Sequence, residues 1–261
     1  MVKQNKNKER LGQEQYNNEN CLMKIVEYKN ARDMIIEFQD KYKARVHTAY
    51  NNFLLGRVKN PYHPSIFNVG MIGEKYPISI GRKLIKEYKV WNSIIQRCFN
   101  EECKIKNSAY KGVTCCEEWL LYENFYEWLH SQENFDKWLV GDKWAIDKDI
   151  LIKGNKIYSP ETCCLVPMSV NNLFTKRDVY RGKLPIGVVE HGKGFRAQCN
   201  NPLTNKREFS ITYYTVEKTF KIYKIRKEEI IKQVAQEEYA KGNITKRCYE
   251  AMMNYEVEIT D

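Results

Sequence analysis

Residues 145–167 read AIDKDILIKGNKIYSPETCCLVP, and the reading of this stretch decides the fold of the chain's centre. Residues 145–151 form a short strand, Gly154-Asn155 supplies turn chemistry, and the apolar residues that follow provide a second strand. A helix then starts at Ser169 and carries Asn171 and Asn172. The expected order is strand, turn, strand and Asn-bearing helix.

Upstream, Val90, Trp91, Ile94, Ile95 and Cys98 recur at three- and four-residue intervals, which places them on one face of an amphipathic helix. After residues 110–115, a second helix carries Trp119, Tyr122, Phe125, Tyr126 and Leu129, an aromatic stripe suited to a core. Further back, β-favouring segments at 23–28, 34–38 and 42–46 are separated by turn chemistry and predict a small antiparallel meander. A helical stretch over 48–55 then meets Gly56, and Pro61, Pro64, Gly70 and Gly73 mark an irregular connection. His47 and His63 have no Cys or His at ligand spacing beside them and give no metal expectation. Residues 1–20 are polar and read as a mobile arm.

Downstream, strands are expected over 185–190, 195–200 and 207–213, followed by a long helix. Thr215 is suited to cap that helix, with Glu217 in its first turn, and Val216, Phe220, Tyr223, Ile230 and Val234 form its apolar stripe. In the middle strand Phe195, Ala197 and Cys199 alternate with Arg196, Gln198 and Asn200, so one face is apolar and the other carries hydrogen-bonding groups. A face of that kind fits the DNA major groove, where Arg reads guanine and Gln or Asn reads adenine, although any half-buried sheet alternates in the same way. The end of the chain, 243–255, forms a short helix with Ile244, Cys248, Met252 and Tyr255 on one face. That face either packs on the preceding helix or serves as a homodimer contact.

Composition narrows the function classes. The 261 residues carry a formal charge of +10, which draws polyanions. Residues 1–88 hold 16 Lys and Arg against 9 Asp and Glu, residues 89–175 hold 10 against 12, and residues 176–261 hold 17 against 12. Two basic flanks therefore enclose an acidic middle, the pattern expected where the ends grip phosphate and the centre holds carboxylates for a metal. There is no apolar run of about 18 residues and no secretory leader, so the expectation is a cytoplasmic protein with no membrane partner. Nine cysteines, including the adjacent pairs Cys115-Cys116 and Cys163-Cys164, do not suit a secreted disulfide framework. Cys98-x4-Cys103, with one cysteine from each adjacent pair, has the ligands of a structural zinc; lone core cysteines are the alternative.

Trp91, Arg97-Cys98, Tyr110, Cys116-Glu117-Glu118-Trp119 and Phe125, followed by Asp147-x-Asp149, Asn155-x-x-Tyr158-Ser159-Pro160-x-x-Cys163 and Asn171-Asn172, resemble the phage and mobile-element HNH homing endonucleases. The resemblance spans residues 88–176 and implies a ββα-metal finger using magnesium or manganese. It implies Asp147 as metal ligand, Asn155 as the orienting turn residue, and Asn171 or Asn172 as the helical ligand. Lys148 stands where that family has its general-base His. A lysine flanked by Asp147 and Asp149 is held in its charged form, so Lys148 and Asp149 would touch metal or phosphate instead.

Gly187-Val188, the run Lys193-Gly194-Phe195-Arg196-Ala197-Gln198-Cys199-Asn200-Asn201-Pro202 and the run Thr212-Tyr213-Tyr214-Thr215-Val216-Glu217 are similar to the Apetala (ethylene-response-factor) DNA-binding domain, which also occurs beside HNH modules. The resemblance implies DNA contacts from Gln198, Asn200, Arg207 and Phe209; strand alternation adds Arg196, and Lys193 and Lys206 supply charge. The first strand, Val188-Val189-Glu190, lacks the arginines of that domain, so no base preference follows. The expectation is an α+β protein: an arm (1–20), a β-rich module (21–87), an HNH-like module (88–176) and a DNA reader (177–261). It would bind double-stranded DNA in a bacterial host and either cleave a phosphodiester with a divalent metal or act as an inactive regulator or accessory factor.

Overall fold

Alternation in two adjacent strands builds the first sheet. Met23 and Ile25 from β2 (Leu22–Asn30) and Met34, Ile36 and Phe38 from β3 (Asp33–Phe38) all point inward and are buried. The computed structural model describes residues 9–175 and 184–261, which fall into two units, Met1–Glu127 and Trp128–Asp261. In the first unit, β1 (Glu14–Tyr16) and β4 (Arg45–Thr48) flank β2 and β3 in an antiparallel sheet of order β1-β2-β3-β4. A register shift between Ile25 and Glu27 bends β2. Helix α1 (Tyr50–Leu54) adds Phe53, and Ala44 and Val58 complete the cluster.

The expected arm is corrected here. Residues 14–16 pair with 22–24 of β2, Asn17 is buried, and the Arg10 guanidinium lies 3.9 Å from the Tyr50 ring centroid and hydrogen-bonds the Tyr28 hydroxyl. Stacking on aromatic faces anchors what polar composition alone suggested was free. Residues 1–8 lie outside the described residues.

A short hairpin, β5 (Ser79–Ile80) and β6 (Lys83–Leu84), leads into α2 (Lys86–Phe99) and α3 (Glu101–Lys106). Of the expected α2 stripe, Trp91, Ile94, Ile95 and Cys98 are buried and Val90 is half-buried. The Trp91 indole N–H donates to the Trp119 carbonyl at 2.7 Å, which satisfies the one polar atom of a fully buried ring. The second aromatic stripe breaks where the chain turns at Leu121, giving a single 3-10 turn (Glu118–Leu120) and then α4 (Tyr122–His130), with Trp119, Tyr122, Phe125 and Leu129 all buried.

In the second unit α5 (Phe135–Val140) precedes β7 (Trp144–Asp147), which pairs antiparallel with β8 (Cys164–Pro167), Cys164 opposite Asp147. Helix α6 (Met168–Phe174) follows directly and contacts both strands. Strands β9 (Val188–His191), β10 (Gly194–Asn201) and β11 (Lys206–Phe209) form an antiparallel sheet of order β9-β10-β11. Helix α7 (Val216–Ala240), capped by Thr215 as expected, covers one face of that sheet, and α8 (Lys246–Met253) packs on α7. No helix among the described residues is long and apolar enough to cross a membrane.

The architecture is α+β with several small antiparallel sheets. Its division differs from the expected modules. Helix α2 belongs with the first unit. Ile150, Cys164, Val166 and Val170 of the central segment share one core with Val188, Ala197, Tyr223 and Ile230 of the carboxy-terminal sheet and helix. The two elements thus share a common interior. Asn134 ties them further, its amide donating to the Leu165 carbonyl at 3.0 Å and to the Asn243 carbonyl at 2.8 Å. Ile244, Cys248 and Met252 are buried in the same core, so this face packs within the chain, the first of its two expected uses.

Candidate nucleic-acid interface and the central finger

Strand β10 sorts its side chains as the alternation predicts. Ala197 and Cys199 are buried toward α7, whereas Arg196, Gln198 and Asn200 lie on the open side. Pairing brings their neighbours onto the same side: Val189 opposite Arg196, Phe209 opposite Gln198, and Arg207 opposite Asn200. The Arg196 guanidinium carbon sits 4.2 Å from the Phe209 ring centroid, and its buried Nε has no hydrogen-bond partner. Arg207 Nε donates to Asn200 Oδ1 at 3.1 Å. Five of the seven expected DNA-binding residues therefore share one face. The other two flank it: Lys193 is exposed in the β9–β10 turn, and Lys206 starts β11 opposite buried Asn201.

Two contacts hold the sheet to its helix. Arg226 of α7 grips Glu208 of β11 with a two-pronged ion pair, Nε to Oε2 at 2.6 Å and Nη2 to Oε1 at 3.0 Å. Gly187, at φ +75°, lies where a Cβ would fall 2.0 Å from the Tyr223 ring, so the chain reaches β9 only by passing flat over that aromatic. The hydrogen bonds from Arg226, aided by the Asn201 amide, pull the Glu208 carboxyl down to about 2. A carboxyl lowered on folding contributes stability that is complete above its unfolded pKa of about 4.3 and is lost as pH falls toward the folded value. Urea unfolding of the wild type and Glu208→Gln is expected to differ near pH 6 and to converge near pH 2. A gap independent of pH would remove the ion pair as its cause.

The central finger closes on itself. Asp147 Oδ1 accepts the backbone N–H groups of Asp149 at 2.7 Å and Ile150 at 2.8 Å, which ends β7 in a side-chain-capped turn and shortens the strand expected over 145–151. Asn155 donates from its amide to the carbonyls of Lys148 and Ile157, both at 2.8 Å, and accepts from the Ile157 N–H. It thus orients the backbone of the residue at the expected general-base position. Lys148 Nζ donates to Asp149 Oδ1 at 2.6 Å and to the Asn155 carbonyl at 3.2 Å, with its side chain only 12% exposed. Burial pushes the Asp147 carboxyl up, opposed by its two backbone donors. Asn171 and Asn172 stand on α6; the Asn171 amide contacts Met168 Sδ at 3.9 Å, and among the described residues neither asparagine is hydrogen-bonded to Asp147.

Among the described residues, one group of three or more Cys, His, Asp or Glu side chains has its ligand atoms within 4.8 Å of one another: Glu19, Cys21 and His63. Among the described residues Asp147 and Asp149 gather no such group, and neither do Cys98, Cys103, Cys115 and Cys116 of the first unit. Hydrogen bonds with Cys116 and Cys98, then burial, push the Cys115 thiol up. Cys164 lies with its Sγ 3.9 Å from that of Cys248, in the core. No family model, curated protein or solved structure matches this chain.

Proposed function

We propose that this chain is a double-stranded-DNA-binding protein whose carboxy-terminal sheet enters the groove through Arg196, Gln198, Asn200, Arg207 and Phe209, and whose central finger is a structural element rather than a nuclease. The convergence of those five side chains on the face opposite α7 carries the reading. Alternate residues of a strand stand about 6.6–6.8 Å apart, close to two base-pair steps at about 3.4 Å each. Arg196, Gln198 and Asn200 thus match the spacing of a base ladder. The Arg196 guanidinium lies over the Phe209 ring, and the charge of +10 supplies phosphate attraction.

HNH-type hydrolysis needs a base to take the proton of the attacking water and a metal to polarise the phosphate. Lys148 is tied to Asp149 and to the Asn155 carbonyl, and Asp147 Oδ1 is engaged by two backbone donors. That arrangement supports the non-catalytic reading. Duplex DNA is expected to outcompete RNA of equal length in a gel-shift competition, and supercoiled plasmid is expected to stay intact with magnesium or manganese. Equal competition by RNA would overturn the DNA assignment, and nicking abolished in Asp147→Ala would overturn the non-catalytic one.

Asp147→Asn gives a sharper readout. A buried carboxyl raised on folding loses its contribution to stability as pH climbs through the folded pKa, so ionised Asp147 is the costly form at neutral pH. Asparagine keeps the Oδ1 acceptor without the charge, and its melting temperature near pH 7 is expected to equal or exceed that of the wild type. Asp147→Ala, which leaves both N–H groups unpaired, is expected to lose about 1–3 kcal/mol. Magnesium should move none of these melts. A magnesium-dependent rise confined to the wild type would mark Asp147 as a ligand instead.

A further inference from the structure

Outside the sheet face and the finger, two loops of the first unit bring together side chains of three ligand chemistries. The turn before β2 carries Glu19 and Cys21, and the segment after α1 carries His63. Cys21 Sγ lies 3.6 Å from His63 Nδ1, and the ligand atoms of all three residues fall within 4.8 Å of one another. We propose that Glu19, Cys21 and His63 form a zinc site, with the fourth position taken by water.

Geometry and chemistry both lead to that ion. Zinc binds thiolate sulfur at about 2.3 Å and imidazole nitrogen at about 2.0–2.1 Å in a tetrahedron, which sets the two ligand atoms roughly 3.5–3.6 Å apart. The observed separation of sulfur and nitrogen is 3.6 Å. A set of thiolate, imidazole and carboxylate suits a borderline-soft ion and disfavours magnesium or calcium, which take oxygen ligands. None of the three residues is exposed.

The surrounding hydrogen bonds fix the ligands in advance, as outer-shell groups do at metal centres. The buried Asn17 carboxamide accepts the backbone N–H groups of Glu19 at 3.0 Å and Cys21 at 2.7 Å, and its amide donates to the Val58 carbonyl at 2.9 Å. Glu19 Oε2 accepts from the Asn60 N–H at 3.3 Å, while the Asn60 amide donates to Asp40 at 2.6 Å. These bonds bring residues 58–63 onto the turn at 17–21, and the ion would lock the two loops together.

The experiment uses the full chain, stripped with chelator under a metal-free reductant, and reads zinc affinity by competition with a chromophoric chelator. The wild type is expected to take up one equivalent that both Cys21→Ser and His63→Gln lose. Cobalt, as a probe ion, should give a thiolate-to-metal absorption band that is absent in Cys21→Ser. His63→Gln sits in a loop, and an unchanged circular dichroism spectrum separates ligand loss from unfolding. Absence of zinc uptake by the wild type, or the same uptake by a folded His63→Gln chain, overturns the site.

Discussion

Replacement of Glu123 by alanine is expected to destabilise the first unit by about 3–6 kcal/mol, because two charge-assisted hydrogen bonds are each worth roughly 1.5–3 kcal/mol. Glu123 is buried in the first turn of α4, and its Oε1 accepts the backbone N–H groups of Glu74 and Lys75, both at 2.7 Å, and the Tyr62 hydroxyl at 3.4 Å. The positive end of the helix dipole offsets part of the cost of burying the charge. Gly73, at φ +80°, passes so close that a Cβ there would fall 2.3 Å from the carboxylate. The loop at 73–75 is thus wrapped around one oxygen, and removing that oxygen takes away the acceptor of two amide donors. Burial, then the nearby Glu123 charge, raises the Tyr62 phenol to about 12. Glu123→Gln keeps an acceptor and should lose about half as much. Chemical unfolding measures both, and a loss under about 1 kcal/mol for alanine would refute this account of the loop.

What the sequence made legible were features with a short period. The apolar intervals of α2, the β-favouring runs of β2 and β3, the alternation of β10 and the Thr215 cap each depend on neighbours within four residues, and all are present. Contacts set by distant partners were not legible. Glu123 reads as one more helix-surface acid until the loop at 73–75 folds over it. Cys21 and His63 stand 42 positions apart, so no ligand spacing could pair them. The finger is intermediate. Its strand and helix were expected from local pattern, yet Asp147 ends β7 by capping a turn, and the strand that pairs with β7 is 164–167, well beyond the Gly154-Asn155 turn. Nor does a local pattern reveal that the finger and the carboxy-terminal sheet lack separate cores, since that depends on total buried area.

The pinning of Lys148 links the two halves of the functional reading. Lys148 is held by the Asp149 carboxylate and the Asn155 carbonyl, and on the proposed reading the finger braces the unit that carries the sheet. Ile150, Cys164, Val166 and Val170 pack in the same core as Ala197 and Cys199, on the reverse side of the strand that presents Arg196, Gln198 and Asn200. A finger variant that disturbs this shared core is expected to disturb β10 as well, so any change in DNA binding it shows is interpretable only beside its melting curve.

The double variant Arg196→Ala, Arg207→Ala is expected to weaken duplex binding by about 30-fold or more, taking roughly 1–3 kcal/mol for each arginine that reads a base and about 1.4 kcal/mol per tenfold change. The two side chains are joined to the strand by different contacts, Arg196 to the Phe209 ring and Arg207 to Asn200 Oδ1, so each single variant should retain part of the affinity. Arginines that contact bases lower affinity and relax sequence preference together, whereas arginines on phosphate lower it for all sequences and reduce the salt slope by about one each. Binding measured by fluorescence anisotropy on a preferred duplex and on an unrelated one, across a salt series, separates those roles. Lys193→Ala and Lys206→Ala, which flank the face, are expected to follow the phosphate pattern alone. If the double arginine variant binds duplex as tightly as the wild type while melting at the same temperature, the proposed DNA-binding role of the open face of β10 is wrong.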